Sequence, residues 1–320
     1  MPSHNSPNRL VKLHFDDDFL EGAIFVCTSG RRKGIAPLAI TRFNHAREKL
    51  YRTLDADDRN AAFFRLHLRW FREWGLEDFL TGITGEFPEF PRALRLLAFR
   101  KARGKQDEAA ELYVNAETGR HGVVAFCCEQ FADDNVLARF LRHEFTHLHD
   151  MISPAFGYTP ELRVPGITAT QHKLARERYR LLWDITIDSR LARSGHATNT
   201  PRERYQALFD RAYAFWPEQR QREIFDTLWD ESKPTHAQLT AIAADPRDLA
   251  HAARPLPGAA CPLCGFPTFH WADPAQFDNA MISRIGREFP AWTPPQSACL
   301  RCHETYEALA KNYDYLTAGV

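Results

Sequence analysis

Residues 143–147 read His-Glu-Phe-Thr-His, inside the run FLRHEFTHLHDMI. Two histidines four apart on a helix share one face, about 6 Å apart along the axis, so their imidazoles can converge on one zinc ion. Glu144 projects beside that pair, where a carboxylate can take a proton from water activated by the metal. The spacing therefore offers a metal site together with its general base. Further on, the run RYRLLWDITIDSRLAR carries Asp184 and Asp188, again four apart on one helical face. Near the C-terminus stand two CxxC pairs, Cys261/Cys264 and Cys299/Cys302.

A catalytic zinc needs three protein ligands and one open position, so a third group must join His143 and His147. Asp150 shares their face but lies seven residues from His143, about 10 Å along a helix and too far for the same ion. It reads as a supporting or surface charge. His149 points to another side. In its order of strand, HExxH helix and second helix, the chain resembles the zincin metallopeptidases. In the gluzincin branch, the first acid of an acid-x-x-x-acid pair binds zinc and the second orients a histidine through its other ring nitrogen. That resemblance implies Asp184 as ligand and Asp188 as the partner of His143. Gluzincins usually use glutamate there, and the shorter aspartate leaves Asp188 open as the alternative ligand. His172 is the rival, since SprT-like proteases, which also carry a C-terminal zinc module, take a third histidine from beyond the active-site helix. His172 and Asp184 are about 18 Å apart in a continuous helix, so only one of them can serve.

Each CxxC makes a tight knuckle presenting two thiolates, and two knuckles complete a closed tetrahedral zinc site with no position left for catalysis. Cys261, Cys264, Cys299 and Cys302 are thus expected to hold a structural Zn2+ in a zinc-ribbon module, beside one catalytic Zn2+ at His143, His147 and the third ligand. Cys27, Cys127 and Cys128 read as packed thiols.

The elements that must carry these groups follow from periodicity and breakers. Ala23–Cys27 is a short apolar run predicted as a strand, followed by a loop over 28–34. Helical patterns cover about 41–54 and 57–74, the second with Phe63, Leu66, Trp70 and Trp74 on one face and Gly75 as its stop. Runs at 93–100, 111–115 and 121–128 are predicted strands, the last two joined as a hairpin through a segment with two glycines. The Gly122–Phe126 strand is the candidate edge for aligning a substrate backbone. A long helix starts at a cap on Asp133 or Asp134 and runs to about Ile152, and another spans about 170–193, closed by Gly195. Residues 201–250 read as further helices, and Asp245-Pro246 and Pro255–Gly258 as a linker. The expected fold is α+β: an N-terminal mainly helical region over 1–90, a zincin-like catalytic domain over 91–250 with a small mixed sheet, and a zinc-ribbon module over 256–320.

The 320 residues are 44% hydrophobic, enough for a sizeable core, and their 41 Lys+Arg balance 41 Asp+Glu, which argues against coating nucleic acid by bulk charge. The neutrality is uneven. Residues 31–105 hold 17 basic and 9 acidic side chains, with Arg65, Arg69 and Arg72 on one helical face, while 256–320 hold 4 basic and 6 acidic. An anionic partner through the basic region is the less favoured reading; for the acidic module, protein docking or packing on the catalytic domain is preferred. The start, MPSHNSPNRLVKLHFDDD, lacks an apolar run, and seven cysteines are too few for a disulfide scaffold, so the expectation is a cytoplasmic protein with no membrane span. The expected function is hydrolysis of peptide or protein substrates by a zinc-dependent metallopeptidase with Glu144 as general base. Tyr158, Tyr179 and Arg180 are candidate oxyanion donors. The alternatives are a DNA-associated SprT-like protease and a non-catalytic zinc-binding docking protein.

Overall fold

The computed structural model describes residues 10–53, 56–162, 168–230, 233–244, 255 and 257–317. The Asp245-Pro246 linker, and Leu256 of the second linker segment, lie outside these residues. Among the described residues the fold is α+β, with twelve α-helices and one four-stranded sheet. No helix among them is long and apolar enough to cross a membrane. The chain divides into two compact units, Met1–Tyr158 with Ile187–Thr200, and Thr159–Thr186 with Pro201–Val320.

The first unit opens with β1 (Leu13–Phe15) and α1 (Asp17–Thr28). The helix occupies the segment predicted as a strand at Ala23–Cys27. A five-residue apolar run cannot separate a strand from a buried helix by its period. Here Phe19, Leu20, Ala23, Ile24 and Cys27 are all buried at helical spacing, and Asp17 and Asp18 sit in the first turn, where the helix dipole favours acids. Helices α2 (Pro37–Thr53), α3 (Ala56–Glu73), α4 (Leu76–Gly85) and the short α5 (Phe90–Ala93) follow. They form the crossover that a parallel β1–β2 pairing requires. Gly75 takes the left-handed conformation, with φ 73°, between α3 and α4, as its reading as a helix stop requires.

The sheet order is β1-β2-β4-β3, with β2 at Leu96–Lys101, β3 at Ala109–Asn115 and β4 at Gly119–Phe126. β3 and β4 form the expected antiparallel hairpin, while β4 also pairs parallel to β2. β4 is therefore an interior strand, and the edges are β1 and β3. The Gly122–Phe126 segment cannot offer a free edge to a substrate, because both its sides are already hydrogen-bonded. Short apolar runs identify strands but not their order, which depends on contacts distant in sequence.

Aromatic rings dominate the core between sheet and helices. Phe15, Phe19, Phe71, Phe99, Phe126 and Phe131 are all buried and in mutual ring contact, with centroids 5.0–6.4 Å apart. α6 (Asp134–Ile152) lays Leu137, Leu141, Phe145 and Leu148 into the same core. Gly122 on β4 permits this approach, since a Cβ there would stand 2.7 Å from Leu148 Cδ2 and 2.9 Å from Leu97 Cδ1. Gly122→Ala is accordingly expected to destabilise the protein by about 1–3 kcal/mol through overpacking. Urea unfolding followed by tryptophan fluorescence checks this.

Helix α7 (Ala169–Arg193) is one unbroken helix whose residues after Thr186 belong to the first unit. In the second unit it is followed by α8 (Arg202–Ala212), α9 (Glu218–Asp230) and α10 (His236–Ala244). Phe209, Tyr213, Trp216 and Phe225 pack as an aromatic cluster there. The remainder carries α11 (Asn279–Glu288) and α12 (Leu300–Thr317), with a small core of Leu263, Phe277, Met281, Ile285 and Trp292 beside the cysteines. Its β-structure among the described residues is two isolated bridges, Ala260–Pro267 and Trp271–Cys299. The segment expected to be a ribbon is thus mostly helical.

Candidate metal centres

α6 begins where the Asp133 side chain accepts hydrogen bonds from the backbone N–H groups of Asn135 and Val136, a standard cap. Its apolar stripe faces the core, which fixes the rotation of the helix. That rotation buries a set of polar side chains unusual for a core helix: His143, Glu144, Thr146, His147 and Asp150 are each 9% exposed or less. The two imidazole centroids are 4.9 Å apart.

Asp188, on α7, is fully buried, with Oδ1 2.7 Å from His143 Nδ1. Its Oδ2 accepts the backbone N–H of Thr200 at 3.0 Å. With Nδ1–H donating to Asp188, the lone pair of His143 lies on Nε2, the tautomer required of a metal-binding imidazole oriented by a carboxylate. Asp184 stands one turn earlier on the same face of α7. Ligand atoms of His143, His147 and Asp184 all lie within 4.8 Å of one another. Two imidazole nitrogens and one carboxylate oxygen match the donor set of a three-ligand zinc site, so the residues present fit such an ion. His172, in the first turn of α7, is outside this group, as is Asp188.

Glu144 is held in a way the sequence did not reveal. Its Oε2 accepts the backbone N–H of Ala110 at 2.7 Å. Ala110 thus turns its N–H away from β4 toward the open edge of β3, and alternation along the strand gives Leu112 the same outward orientation. The carboxylate beside the histidines is in this way tied to the sheet edge. No sequence spacing could have identified Ala110, because the link is a backbone contact across 34 residues.

Asp150 is 2% exposed and forms a bidentate pair with Arg190 at 2.8 and 2.5 Å. It is a buried tie between α6 and the last turns of α7, not a surface charge. Arg190→Met, which strips the guanidinium from this carboxylate, is expected to cost about 3 kcal/mol of stability, because a buried charge loses its partner. Asp150→Asn added to it should recover part of the loss, as chemical denaturation of both variants would reveal. His149 is partly exposed, 3.9 Å from Glu89. Of the candidate oxyanion donors, Tyr179 has its hydroxyl 2.7 Å from His236 Nδ1, whose Nε2 is 3.0 Å from Thr159 Oγ1. Arg180 is exposed. Burial, and then Glu111, raises the Tyr158 pKa.

The second group is Cys261, Cys264, Cys299 and Cys302, whose sulfurs also lie within 4.8 Å of one another and could hold a metal ion. Gly265, with φ 75°, closes the first knuckle through its N–H to Cys261 O at 2.8 Å. The second pair sits at the start of α12, where burial raises the pKa of both Cys299 and Cys302 in the absence of an ion. Burial works against a Cys261 thiolate, but backbone N–H groups of Cys299, Cys264 and Leu263 outweigh it and lower its pKa. The other three cysteines lie apart from this group. Burial pushes the Cys27 and Cys128 thiols up to about 12. Burial and then the Glu108 carboxylate push Cys127 up to about 11. Thiols held in this direction stay in the neutral, weakly nucleophilic form.

Comparison with protein families, curated proteins and solved structures finds no match to the chain.

Part of the basic region is ion-paired. Arg32 bonds Asp134 at 2.6 Å and Phe131 O at 2.8 Å, Arg72 bonds Glu77 at 2.6 Å, and Arg69 is 3.8 Å from Glu73. These three guanidinium groups are less available to a polyanion than free ones would be.

Proposed function

We propose that the protein is a zinc-dependent metallopeptidase of zincin type, with the catalytic zinc on His143, His147 and Asp184 and a structural zinc on the four cysteines. The observation that carries this reading is the joint placement of three functions around one point. Three ligand atoms converge, Asp188 orients His143 through Nδ1, and Glu144 stands beside them on α6. Coincidental burial of histidines needs none of this order. It would not require a fully buried carboxylate on the distal nitrogen of a potential ligand.

Zinc bound by these three groups would supply Lewis acidity toward a peptide carbonyl and toward water. The chain's own residues do the rest. Glu144 accepts the proton from the attacking water as the new C–O bond forms at the carbonyl carbon, then delivers it to the amine nitrogen, which leaves as the C–N bond breaks. Its hydrogen bond from Ala110 N–H fixes one carboxylate oxygen and leaves the other to handle the proton. Asp188 holds His143 in the ligand tautomer. The open edge of β3 can align an extended peptide by backbone hydrogen bonds, with outward groups of Leu112 as natural partners.

The test is zinc stoichiometry and peptide hydrolysis measured on the full chain. Two zinc ions per chain and chelator-sensitive cleavage of unstructured peptides are expected. One zinc ion at saturation, or no cleavage with two bound, would reject the reading.

A further inference from the structure

Arg178 lies on α7, six residues before Asp184, and has no part in the chemistry above. It is 8% exposed, and among the described residues its guanidinium makes no hydrogen bond and no ion pair. Its neighbours are aromatic faces, with the guanidinium carbon 5.4 Å from the Phe215 ring centre and 5.8 Å from that of Tyr213. Burial lowers its pKa. A largely buried guanidinium whose donors meet no acceptor among the described residues keeps only part of its hydration, and stacking on rings offsets only part of that cost. The same corner holds a second orphan, since the Tyr213 hydroxyl is buried with no hydrogen-bond partner.

Arg178 lines a cavity of about 320 Å³. Leu174, Leu181, Ala212, Phe215 and Phe269 form its apolar wall, and Arg211 and Glu177 are its other charged groups. Phe215 and Phe269 are 41% and 51% exposed, unusually open for two phenylalanines lining one recess. A second recess, which contains Lys173, shares Leu174, Glu177 and Phe269 with it. The whole arrangement lies within the second unit.

We infer that this cavity is a binding site for a small amphiphilic carboxylate, an apolar or aromatic body ending in one carboxylate that the Arg178 fork holds. The chemistry of the wall selects this class. A planar guanidinium presents paired N–H donors matched to a carboxylate. Two arginines set against Glu177 leave one net positive charge, which a monoanion neutralises and a phosphate dianion oversaturates. The phenylalanines and leucines suit an apolar body, and the volume lies within the usual range of small-molecule sites, roughly 300–1,000 Å³. This site does not depend on the peptidase reading.

The experiment is calorimetric titration of the full-length, zinc-loaded protein with 4-phenylbutyrate and with its neutral analogue 4-phenylbutan-1-ol. The acid is expected to bind, and the alcohol to bind at least about tenfold more weakly, the size of one charge-assisted hydrogen bond. Arg178→Met should weaken the acid by a similar factor and leave the alcohol unchanged. Should that variant fail to fold, Arg178→Lys and Phe269→Ala carry the test, the second at an exposed side chain; each should weaken the acid several-fold without moving the thermal midpoint of the zinc-loaded protein measured without the acid. Equal binding of acid and alcohol, wild-type affinity in these variants, or no heat from the acid up to about 10 mM would overturn the proposal. Tighter binding of a phenylalanine-terminated peptide than of 4-phenylbutyrate, lost on C-terminal amidation, would also overturn it by assigning the cavity to chain termini.

Discussion

Glu144→Gln is expected to lower peptide hydrolysis by about 10²–10⁴-fold, the usual contribution of a general base, while zinc content and unfolding midpoint stay at wild-type values. Glutamine has nearly the volume of glutamate, and its carbonyl oxygen can still accept the Ala110 N–H that now reaches Glu144 at 2.7 Å. It cannot take up a proton at neutral pH. The variant therefore isolates proton transfer from metal binding and packing. The effect should fall on kcat, because the proton moves in the transition state and not in substrate binding. Wild-type activity in Glu144→Gln would remove the proposed mechanism. Ligand substitutions give the complementary pattern. Asp184→Ala should lose one zinc ion of two, with the four-cysteine zinc retained, and His172→Ala should keep both. The reverse result would move the third ligand to His172. Asp188→Asn keeps the side-chain shape but weakens the hold on His143, so reduced zinc affinity by roughly 10–100-fold is the expected outcome.

Cys264→Ser should unfold the C-terminal segment without abolishing the other metal centre. Cys264 is exposed, so the substitution opens no cavity. What it removes is one sulfur from a group of four that lie within 4.8 Å of one another. The apolar core beside them is small, centred on Leu263, Phe277, Met281, Ile285 and Trp292. Such a core contributes little against chain entropy, and a structural zinc in a module of this kind contributes on the order of 10 kcal/mol to folding. The measurable consequences are loss of one zinc ion, a red-shifted emission from Trp292, which is now buried with its indole N–H on Ser297 O, and rapid proteolysis within 259–317. Unchanged protease resistance in Cys264→Ser would show that the segment folds without its metal.

How far these sites could be read in advance depended on distance along the chain. His143, Glu144 and His147 are local: a four-residue spacing on a helix brings them together whatever surrounds it. The same holds within each CxxC pair, and for the Asp184–Asp188 spacing. The β3–β4 hairpin was legible because its turn is short and its strands are adjacent in sequence. Legibility failed at α1, where the apolar run from Ala23 to Cys27 fits a strand and a buried helix equally and only packing against α3 and the sheet decides. It failed again at β4, expected as the edge but paired on both sides.

The sequence by itself determined the chemistry available: two imidazoles and a base on one helix, two acids on another, and four thiols in two knuckles. Tertiary structure decided which of these meet. It set Asp188 against His143 Nδ1, brought Asp184 and not His172 within reach of the two imidazoles, and tied Glu144 to the backbone of β3. It also paired Asp150 with Arg190 and left Arg178 buried without an ion pair among the described residues. The physical reason is common to all five. Helical periodicity dictates which side chains share a face, but the rotation and depth of each helix follow from burying its apolar stripe, and that is a property of the whole core.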